Sequence, residues 1–190
     1  RGIMAKHARF HIKNLEGLAE EASRLGVEIP QQQDVSPLLE PIEIAGRRVP
    51  NRFAVHPMEG FDSDENGAPG ELSFRRYRRY ATGGYGLIWM EATAVLFEAR
   101  SNPSQLWLHD GSLARFRELV SATRAAAEET FGPGHRPLLI LQLTHSGRYS
   151  KPHGIAAPII AHHSKVLDPL HRLGPDYPLV TDEYLDRLQD

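Results

Sequence analysis

One run of the sequence, residues 138–148, constrains the fold more than any other. It begins with four consecutive apolar residues, which is typical of a strand buried on both faces of a parallel sheet. Gln142 lies inside this run, where a side-chain amide costs free energy unless a hydrogen bond satisfies it. His145 and Arg148 follow the strand directly. Because parallel α/β barrels carry their chemistry at the C-terminal ends of the strands, the run predicts a strand that presents polar groups to a ligand.

Two further segments have the same character. Residues 51–55 lead into Pro57, which has no N–H to donate to a sheet and should end the strand. Residues 86–93 are apolar at first and then acidic. Helical spacing of apolar residues over 72–82 and 110–130 predicts a helix after each of these two strands. Strands and helices that alternate in this way indicate consecutive βα units.

The N-terminal part of the chain is predicted to be separate from these units. Apolar residues at helical spacing over 14–25 predict an amphipathic helix, which is followed by a linker. Residues 42–49 then predict a hairpin. We therefore divide the chain into an N-terminal helical extension with its linker, residues 1–36, and the first part of an α/β barrel, residues 37–190.

The chain has 190 residues, whereas a (β/α)8 barrel typically needs about 250 residues. Three strands are evident, a long loop is predicted over 149–178, and a last helix is predicted to begin at Thr181, a suitable N-cap. We therefore expect this sequence to supply about the first half of a (β/α)8 TIM barrel. The other half would come from a missing C-terminal portion or from a second chain. In a homo-oligomer, that second chain would be another copy of this one.

Composition excludes several classes of function. The chain has no cysteine, which rules out disulfides, thiol catalysis and thiolate metal sites. A net charge of −2 provides no general attraction to nucleic acid or to an anionic membrane. No apolar run approaches the roughly 20 residues of a membrane helix, and residues 1–9 do not resemble a signal peptide. We expect a soluble, cytoplasmic protein.

Other local patterns have simpler explanations. The glycines of residues 83–86 precede a strand instead of opening a helix, which argues against a dinucleotide-binding fingerprint. Residues 62–67 match the start of an EF-hand loop, but Ser73 stands where glutamate is required, so we predict a solvated turn. The arginines of residues 75–79 are predicted to form a solvated helix face. The five histidines between residues 145 and 171 lack the i, i+4 spacing of a helical zinc site, and we predict no metal.

Taken together, the three strand ends resemble the old yellow enzyme family of FMN-dependent oxidoreductases. Each matching segment is short, and the resemblance rests on their order and spacing over residues 37–190. The matching segments are Asn51-Arg52, Pro57-Met58, Gly86-Leu87-Ile88, Glu91-Ala92, Gln142-Leu143 and His145-Ser146-Gly147-Arg148.

The resemblance implies a set of flavin contacts. Backbone groups of Pro57, Met58 and Glu59 would contact the flavin ring. Ala92 would lie at the flavin edge, where a small residue lets the ring come close. The Gln142 amide would bind the pyrimidine part of the ring, because an amide both donates and accepts hydrogen bonds as that edge requires. NADH or NADPH would reduce the flavin, which would then reduce an alkene conjugated to a carbonyl.

Other residues would line the substrate side or depart from the family pattern. His145 and Arg148 would form a polar wall, although each has a structural alternative, a backbone hydrogen bond for the histidine and an ion pair for the arginine. Glu59 stands where the family usually has Thr or Cys, and a carboxylate there would disfavour negative charge on the reduced flavin. Phe61 stands where a subgroup has Tyr.

The resemblance places the catalytic residues outside this sequence. The family's carbonyl-binding pair and proton donor follow its fourth strand, so they are expected beyond Asp190 and the catalytic residues are unknown. Two alternatives remain open at this stage. In the first alternative, the chain is a non-catalytic half-barrel fragment. In the second, it is part of a (β/α) barrel enzyme that uses no flavin, because fold alone does not determine function.

Overall fold

The computed structural model describes residues 11–188, and its contacts divide the chain into two units, residues 1–35 and 36–190. The first unit contains α1 (Leu15–Leu25), the helix predicted from its apolar spacing. The Asn14 side chain accepts a hydrogen bond from the Gly17 N–H at 2.9 Å and so caps the N-terminus. Gly26 ends the helix in the left-handed conformation that glycine adopts without strain.

The second unit is built on a parallel sheet that follows an antiparallel hairpin. The hairpin pairs β1 with β2, and the sheet has the order β3-β4-β5, with all neighbours parallel. Helices α2 and α3 connect the three parallel strands in turn. The bounds are β1 (Ile42–Ile44), β2 (Arg47–Val49), β3 (Ala54–Val55), α2 (Glu71–Thr82), β4 (Leu87–Ala94), α3 (Asp110–Phe131), β5 (Leu138–Thr144), α4 (Leu167–His171) and α5 (Asp182–Asp186).

The core lies between the sheet and the two helices α2 and α3. It forms because both helices turn an apolar face toward the alternate side chains of β4 that point to the same side. Burial of this apolar surface is the main contribution that holds the helices on the sheet. The core cluster consists of Tyr77, Ala81, Ile88, Met90, Leu119, Ala126 and Ala127.

The opposite face of the sheet is open. Trp89 alternates along β4 with the core residues Ile88 and Met90, so its side chain lies on this opposite face, where it is 41% exposed. The predicted barrel is therefore represented here by three adjacent parallel strands with their outer helices.

Two predicted elements differ from the structure. The first parallel strand was expected over residues 51–55, but β3 contains only Ala54 and Val55. The Asn51 side chain replaces the missing ladder, because its Oδ1 accepts from the N–H groups of Phe53 and Gly86 and its Nδ2 donates to the Gly84 carbonyl. The loop expected over residues 149–178 contains the short helix α4, which ends at a left-handed Arg172.

None of the helices between residues 11 and 188 is both long enough and apolar enough to cross a membrane.

Candidate functional site

The C-terminal ends of β3, β4 and β5 lie at the same edge of the sheet, because the three strands are parallel and adjacent. These strand ends and the segments that follow them carry every cofactor and substrate contact predicted from the sequence. In parallel α/β folds this edge is where ligands bind. The candidate site is therefore described from this edge, strand by strand.

A β-bulge brings two of the predicted residues together. Met90 pairs with Leu141 and Thr93 pairs with Leu143, so the two residues Glu91 and Ala92 lie opposite the single residue Gln142. A bulge inserts one extra residue and redirects the side chains around it. Here it allows Met90 and Glu91, although consecutive, both to contact the side of the sheet that α2 covers.

Glu91 is the centre of a buried polar group that we call the Glu91 cluster, formed by Asp62, Arg76, Tyr77 and Glu91. The Glu91 side chain is 2% exposed, and its Oε1 accepts a hydrogen bond from Arg76 Nη2 at 2.6 Å. Tyr77 donates to the same oxygen at 3.3 Å and accepts from the Glu91 N–H at 2.8 Å. The other oxygen, Oε2, accepts from the Gly60 N–H at 2.7 Å. Glu91 therefore attaches the loop that follows β3 to strand β4.

Arg76 holds the same loop at a second point. Its Nη1 lies 2.6 Å from Asp62 Oδ2 and its Nη2 lies 3.0 Å from Asp62 Oδ1, which also accepts from the Ser73 hydroxyl. The Arg76 guanidinium holds the pKa of the Asp62 carboxyl below its usual range. Burial, with the nearby Glu91 carboxylate, raises the pKa of Tyr77, which keeps its proton.

These contacts correct two predictions made from the sequence. Asp62 was assigned to a solvated turn, but its carboxylate is engaged by Arg76 and by Ser73. Arg76 was assigned to a solvated helix face, but it forms two ion pairs. The remaining part of the turn is as predicted, since Asp64 Oδ1 accepts from the N–H groups of Asn66 and Ala68.

Phe61 lies between the two attachment points in an unusual backbone conformation. Its φ is 51°, in the left-handed region that is uncommon for a bulky residue, and its side chain is 57% exposed. Such strain persists only where the surroundings fix the chain on both sides, and it is concentrated at functional sites. Gly60 donates to Glu91 and Asp62 pairs with Arg76, so the chain is held on both sides of Phe61. An exposed aromatic ring is thereby held at the edge of the sheet.

Gly60 is required by the close approach of this loop to α2. A Cβ atom at position 60 would lie 2.3–2.4 Å from three guanidinium atoms of Arg76. Arg76 has no free direction in which to move, because two carboxylates hold it. We expect Gly60→Ala to lower the free energy of unfolding by about 1–3 kcal/mol, the usual cost of overpacking. Urea denaturation measures this difference.

The matched control for this change is Gly134→Ala, because a Cβ at position 134 has no neighbour within 4 Å. The control should leave stability within about 0.5 kcal/mol of the original protein. Equal stability of Gly60→Ala and Gly134→Ala would show that the loop is not packed closely against Arg76.

Glu59 is connected to Ala92 through two side chains. The Ser101 hydroxyl donates to Glu59 Oε2 at 3.2 Å, and the Ser101 N–H donates to Gln105 Oε1 at 2.6 Å. The Gln105 amide donates in turn to the Ala92 carbonyl at 3.2 Å. Burial raises the pKa of the Glu59 carboxyl, Ser101 opposes this effect, and the nearby Glu91 carboxylate adds to it.

The remaining predicted flavin contacts have unused hydrogen-bonding groups. Between residues 11 and 188, nothing accepts from the backbone N–H of Met58 or Glu59, and nothing bonds to the half-buried Gln142 amide. Pro57 precedes them and Met58 is 72% exposed. A ligand with both donors and acceptors along one edge would satisfy these groups. The residues present therefore fit a flavin ring.

His145 follows β5 and has a defined tautomer. Its Nδ1 accepts the Gly147 backbone N–H at 2.9 Å and so carries no proton. Its Nε2, 2.7 Å from the Tyr184 hydroxyl, must therefore be the protonated nitrogen that donates to Tyr184. Burial lowers the pKa of His145, which favours this neutral form. The backbone bond is the structural alternative foreseen from the sequence, and its role in a polar wall stays a prediction.

Arg148 also makes the contact expected of a structural residue. It forms an ion pair with Asp168 and donates from Nη2 to the His162 carbonyl at 3.0 Å. Asp168 additionally lies 2.8 Å from His163 Nδ1. Arg148 and His145 both line a cleft of about 270 Å³ beside α5. The guanidinium thus holds the loop after β5, and a contact with substrate stays a prediction.

The catalytic residues are not assigned to any position in this chain. They were expected beyond Asp190, and Asp190 itself lies outside the described residues, which end at position 188. The expectation therefore stays a prediction. The signal-peptide interpretation of residues 1–9 also falls outside the part of the chain that the structure describes.

Five residues of this region were not identified as site residues from the sequence: Arg76, Glu91, Ser101, Gln105 and Tyr184. Glu91 was noted only as part of a matching segment. One signal was available for it, since a carboxylate inside an apolar strand must have a partner. The guanidinium, hydroxyl and amide groups of the others are ordinary in polar segments, so no local pattern distinguishes them. Over residues 11–188, no group of His, Asp and Glu side chains is arranged to hold a metal ion.

Comparison with known proteins identifies similar solved structures. No protein-family model and no curated protein matches the chain. Among solved structures, a morphinone reductase variant in complex with tetrahydroNAD is 28% identical, with a TM-score of 0.53 over 65% of this chain and 32% of its own. The old yellow enzyme homologue from Zymomonas mobilis is 24% identical, with a TM-score of 0.54 over 67% and 33%.

A third structure, TcOYE with pHBA, is 20% identical, with a TM-score of 0.58 over 79% of this chain and 43% of its own. The chain therefore spans less than half the length of the proteins it resembles. These neighbours, which include old yellow enzyme homologues, confirm at the level of the fold the resemblance that the three strand ends predict.

Proposed function

We propose that this chain, with its likeness to old yellow enzymes, is part of an FMN-dependent oxidoreductase that uses NADH or NADPH to reduce an activated alkene or a related acceptor. The observation that carries the proposal is the Gln142 amide, which has no partner among residues 11–188 and lies opposite the Ala92 bulge at the C-terminal edge of a parallel sheet. The likeness to morphinone reductase, solved with a nicotinamide analogue, also supports it. A small-molecule substrate follows from this proposal, and location in the cytoplasm stays a prediction.

The residues of this chain would hold the cofactor from two sides. The N–H groups of Met58 and Glu59 would donate to one part of the ring, and the Gln142 amide would pair with another. Ala92 would leave room for the ring edge. When bound, FMN supplies the hydride chemistry, while the protein orients it and adjusts its potential. The Glu91 cluster would keep the loop of residues 56–62 in place for this contact.

We further propose that β3, β4 and β5 are adjacent strands of a (β/α)8 barrel. The exposed Trp89, on the face away from α2 and α3, supports this, because the inner face of a barrel is normally filled by side chains of the other strands. Those strands would come from a continuation of the chain beyond Asp190 or from another copy of the chain. The carbonyl-binding pair and the proton donor would lie on the same missing part.

The first test is the absorbance spectrum of the purified protein, with the supernatant of the denatured sample examined for free FMN. A two-band flavin spectrum supports the proposal. A protein that is colourless and does not bind added FMN would overturn it and favour a flavin-free barrel or a non-catalytic fragment.

A variant tests whether Gln142 makes the contact. Gln142→Ala should weaken FMN binding about tenfold, the effect of losing roughly 1.4 kcal/mol of hydrogen-bond free energy. Gln33→Ala, the same change in the first unit of the chain, is the control and should bind FMN with unchanged affinity.

The unusual residue Glu59 leads to a prediction about flavin potential. Glu59→Thr removes a carboxyl group that, when ionised, opposes negative charge on the reduced ring. We expect the potential at pH 8.5 to become less negative by some tens of mV, since about 30 mV corresponds to 1.4 kcal/mol for a two-electron couple. Reductive titration measures it, with Glu65→Thr in the same loop as the control. An unchanged potential would count against a contact between Glu59 and the flavin.

A further inference from the structure

Two carboxyl groups contact one guanidinium at this edge of the sheet, and a third belongs to the residue that precedes Gly60 in the loop after β3. Asp62, in the loop after β3, and Glu91, on β4, both form ion pairs with Arg76 of α2. The terminal nitrogens of Arg76 and the carboxylate of Glu91 make five hydrogen bonds. Four of these bonds join members of the Glu91 cluster, and the fifth comes from the Gly60 N–H. Glu59 is the third carboxyl group, and it has no cationic partner among residues 11–188.

A second carboxyl group lies close to Glu59, because Glu91 Oε2 accepts a hydrogen bond at 2.7 Å from the N–H of the next residue along the chain, Gly60. Glu91 shares the cation of its cluster, Arg76, with Asp62, and each carboxylate lies 2.6 Å from the guanidinium. The Glu91 carboxylate disfavours a charge on Glu59, since like charges that share a site do not all ionise in the same pH range. Glu59 is also half-buried, and both effects raise the pKa of its carboxyl.

The hydrogen bonds of Glu59 leave one oxygen free. Oε2 accepts from the Ser101 hydroxyl at 3.2 Å, and Oε1 has no partner in the part of the chain that the structure describes. A protonated carboxyl with the proton on Oε1 keeps the bond from Ser101 and gains a donor. The Gln105 side chain fixes Ser101 through its N–H, so the orientation of this pair is determined by buried groups.

We infer that Glu59 is the residue that takes up a proton in this site, and that its protonated carboxyl donates a hydrogen bond from Oε1 to a carbonyl oxygen or ring nitrogen of the bound ligand. The protonation itself depends only on the charges within this chain. The donor role rests on the proposed function, in which that ligand is FMN. The site would then bind the cofactor more tightly at low pH, because ionised Glu59 offers no donor and repels an electron-rich edge.

The proton uptake is tested on the protein without ligand. Carboxyl carbons labelled with ¹³C are titrated by NMR in the original protein, in Glu59→Gln and in the control Glu65→Gln. We expect one resonance to titrate above the ordinary glutamate value of about 4.3, to be absent from Glu59→Gln and to remain in Glu65→Gln. A Glu59 resonance that titrates at or below the ordinary value would overturn the inference.

Thermal unfolding gives a second readout that needs no cofactor. A carboxyl with a raised folded pKa destabilises the folded state once pH exceeds its unfolded value, so stability falls as pH rises toward the folded pKa. Glu59→Gln should therefore melt at a higher temperature than the original protein at pH 8 and at a similar temperature at pH 4. A difference that does not change with pH would indicate a packing effect and would contradict the inference.

The donor role is tested by FMN binding as a function of pH. In the original protein the Kd should rise by up to about tenfold per pH unit above the Glu59 pKa, as expected for one linked proton. In Glu59→Gln, whose amide donates at every pH, this part of the dependence should disappear. FMN binding with the same pH dependence in both proteins would overturn the donor role. Failure of all variants to bind FMN would reject the proposed function, and the titration would still decide the protonation.

Discussion

Glu91→Ala is expected to lower the free energy of unfolding by about 3 kcal/mol, the largest effect of a single side-chain truncation in this region. The change leaves the Gly60 N–H without its acceptor and removes one of the two partners of the Tyr77 hydroxyl and of Arg76. Of these donors the Tyr77 hydroxyl is buried, and a buried donor that loses its acceptor pays the full cost of removal from water. Arg76 keeps Asp62, which limits the loss.

Urea denaturation measures this effect, and Glu118→Ala is the matched control. Glu118 also pairs with an arginine, Arg115, at 2.6 Å, but its side chain is 57% exposed. Exposed ion pairs contribute little, so this control should cost at most about 1 kcal/mol. If both variants lose the same stability, the Glu91 cluster does not hold the loop after β3. If only Glu91→Ala is affected and FMN binding weakens as well, the cluster also supports the proposed cofactor contact.

Gly86→Ala is expected to destabilise the protein by about 3 kcal/mol, at the upper end of the usual range for overpacking. A Cβ at this position would lie 2.3 Å from the Asn51 carbonyl oxygen and 2.7 Å from Asn51 Oδ1. These atoms belong to the backbone and to a buried side chain that bonds three backbone groups, so neither moves at low cost. The start of β4 would have to separate from the segment before β3.

Thermal or urea denaturation of Gly86→Ala beside Gly134→Ala checks this prediction. The two variants add the same methyl group, but only the first meets other atoms. A further sign would be the loss of the Asn51 hydrogen bonds, visible as faster hydrogen exchange of the Phe53 and Gly86 amides. Unchanged stability and exchange would mean that β3 and β4 tolerate a wider separation than the structure shows.

The sequence predicted the elements whose cause is local. The helices α1, α2 and α3 and the strands β4 and β5 follow from apolar spacing, and each pattern depends on side chains within a few positions. The hairpin of β1 and β2 was predicted in the same way. The length of β3 was not, because it depends on Asn51, whose side chain bonds residues 33 and 35 positions away.

The candidate site also combines residues that the sequence located with residues that it could not locate. Pro57, Met58, Glu59, Ala92 and Gln142 were located from motifs at strand ends, and the parallel sheet brings those ends to one edge. The catalytic residues could not be located in this way, because the strand that the resemblance assigns to them is not among the three that the sequence supplies.

The sequence by itself thus determined the succession of strands and helices and the polar residues at each strand end. Only the tertiary structure decided which charged side chains form ion pairs with one another. Arg76 reaches Asp62 and Glu91 over 14 and 15 positions, and Glu91 reaches Gly60 over 31. A charged residue in a polar segment has no periodicity that separates an ion-paired side chain from a solvated one. Its role depends on distances that arise only when α2 packs against β4, and these distances give the cation of this edge to Asp62 and Glu91 instead of Glu59.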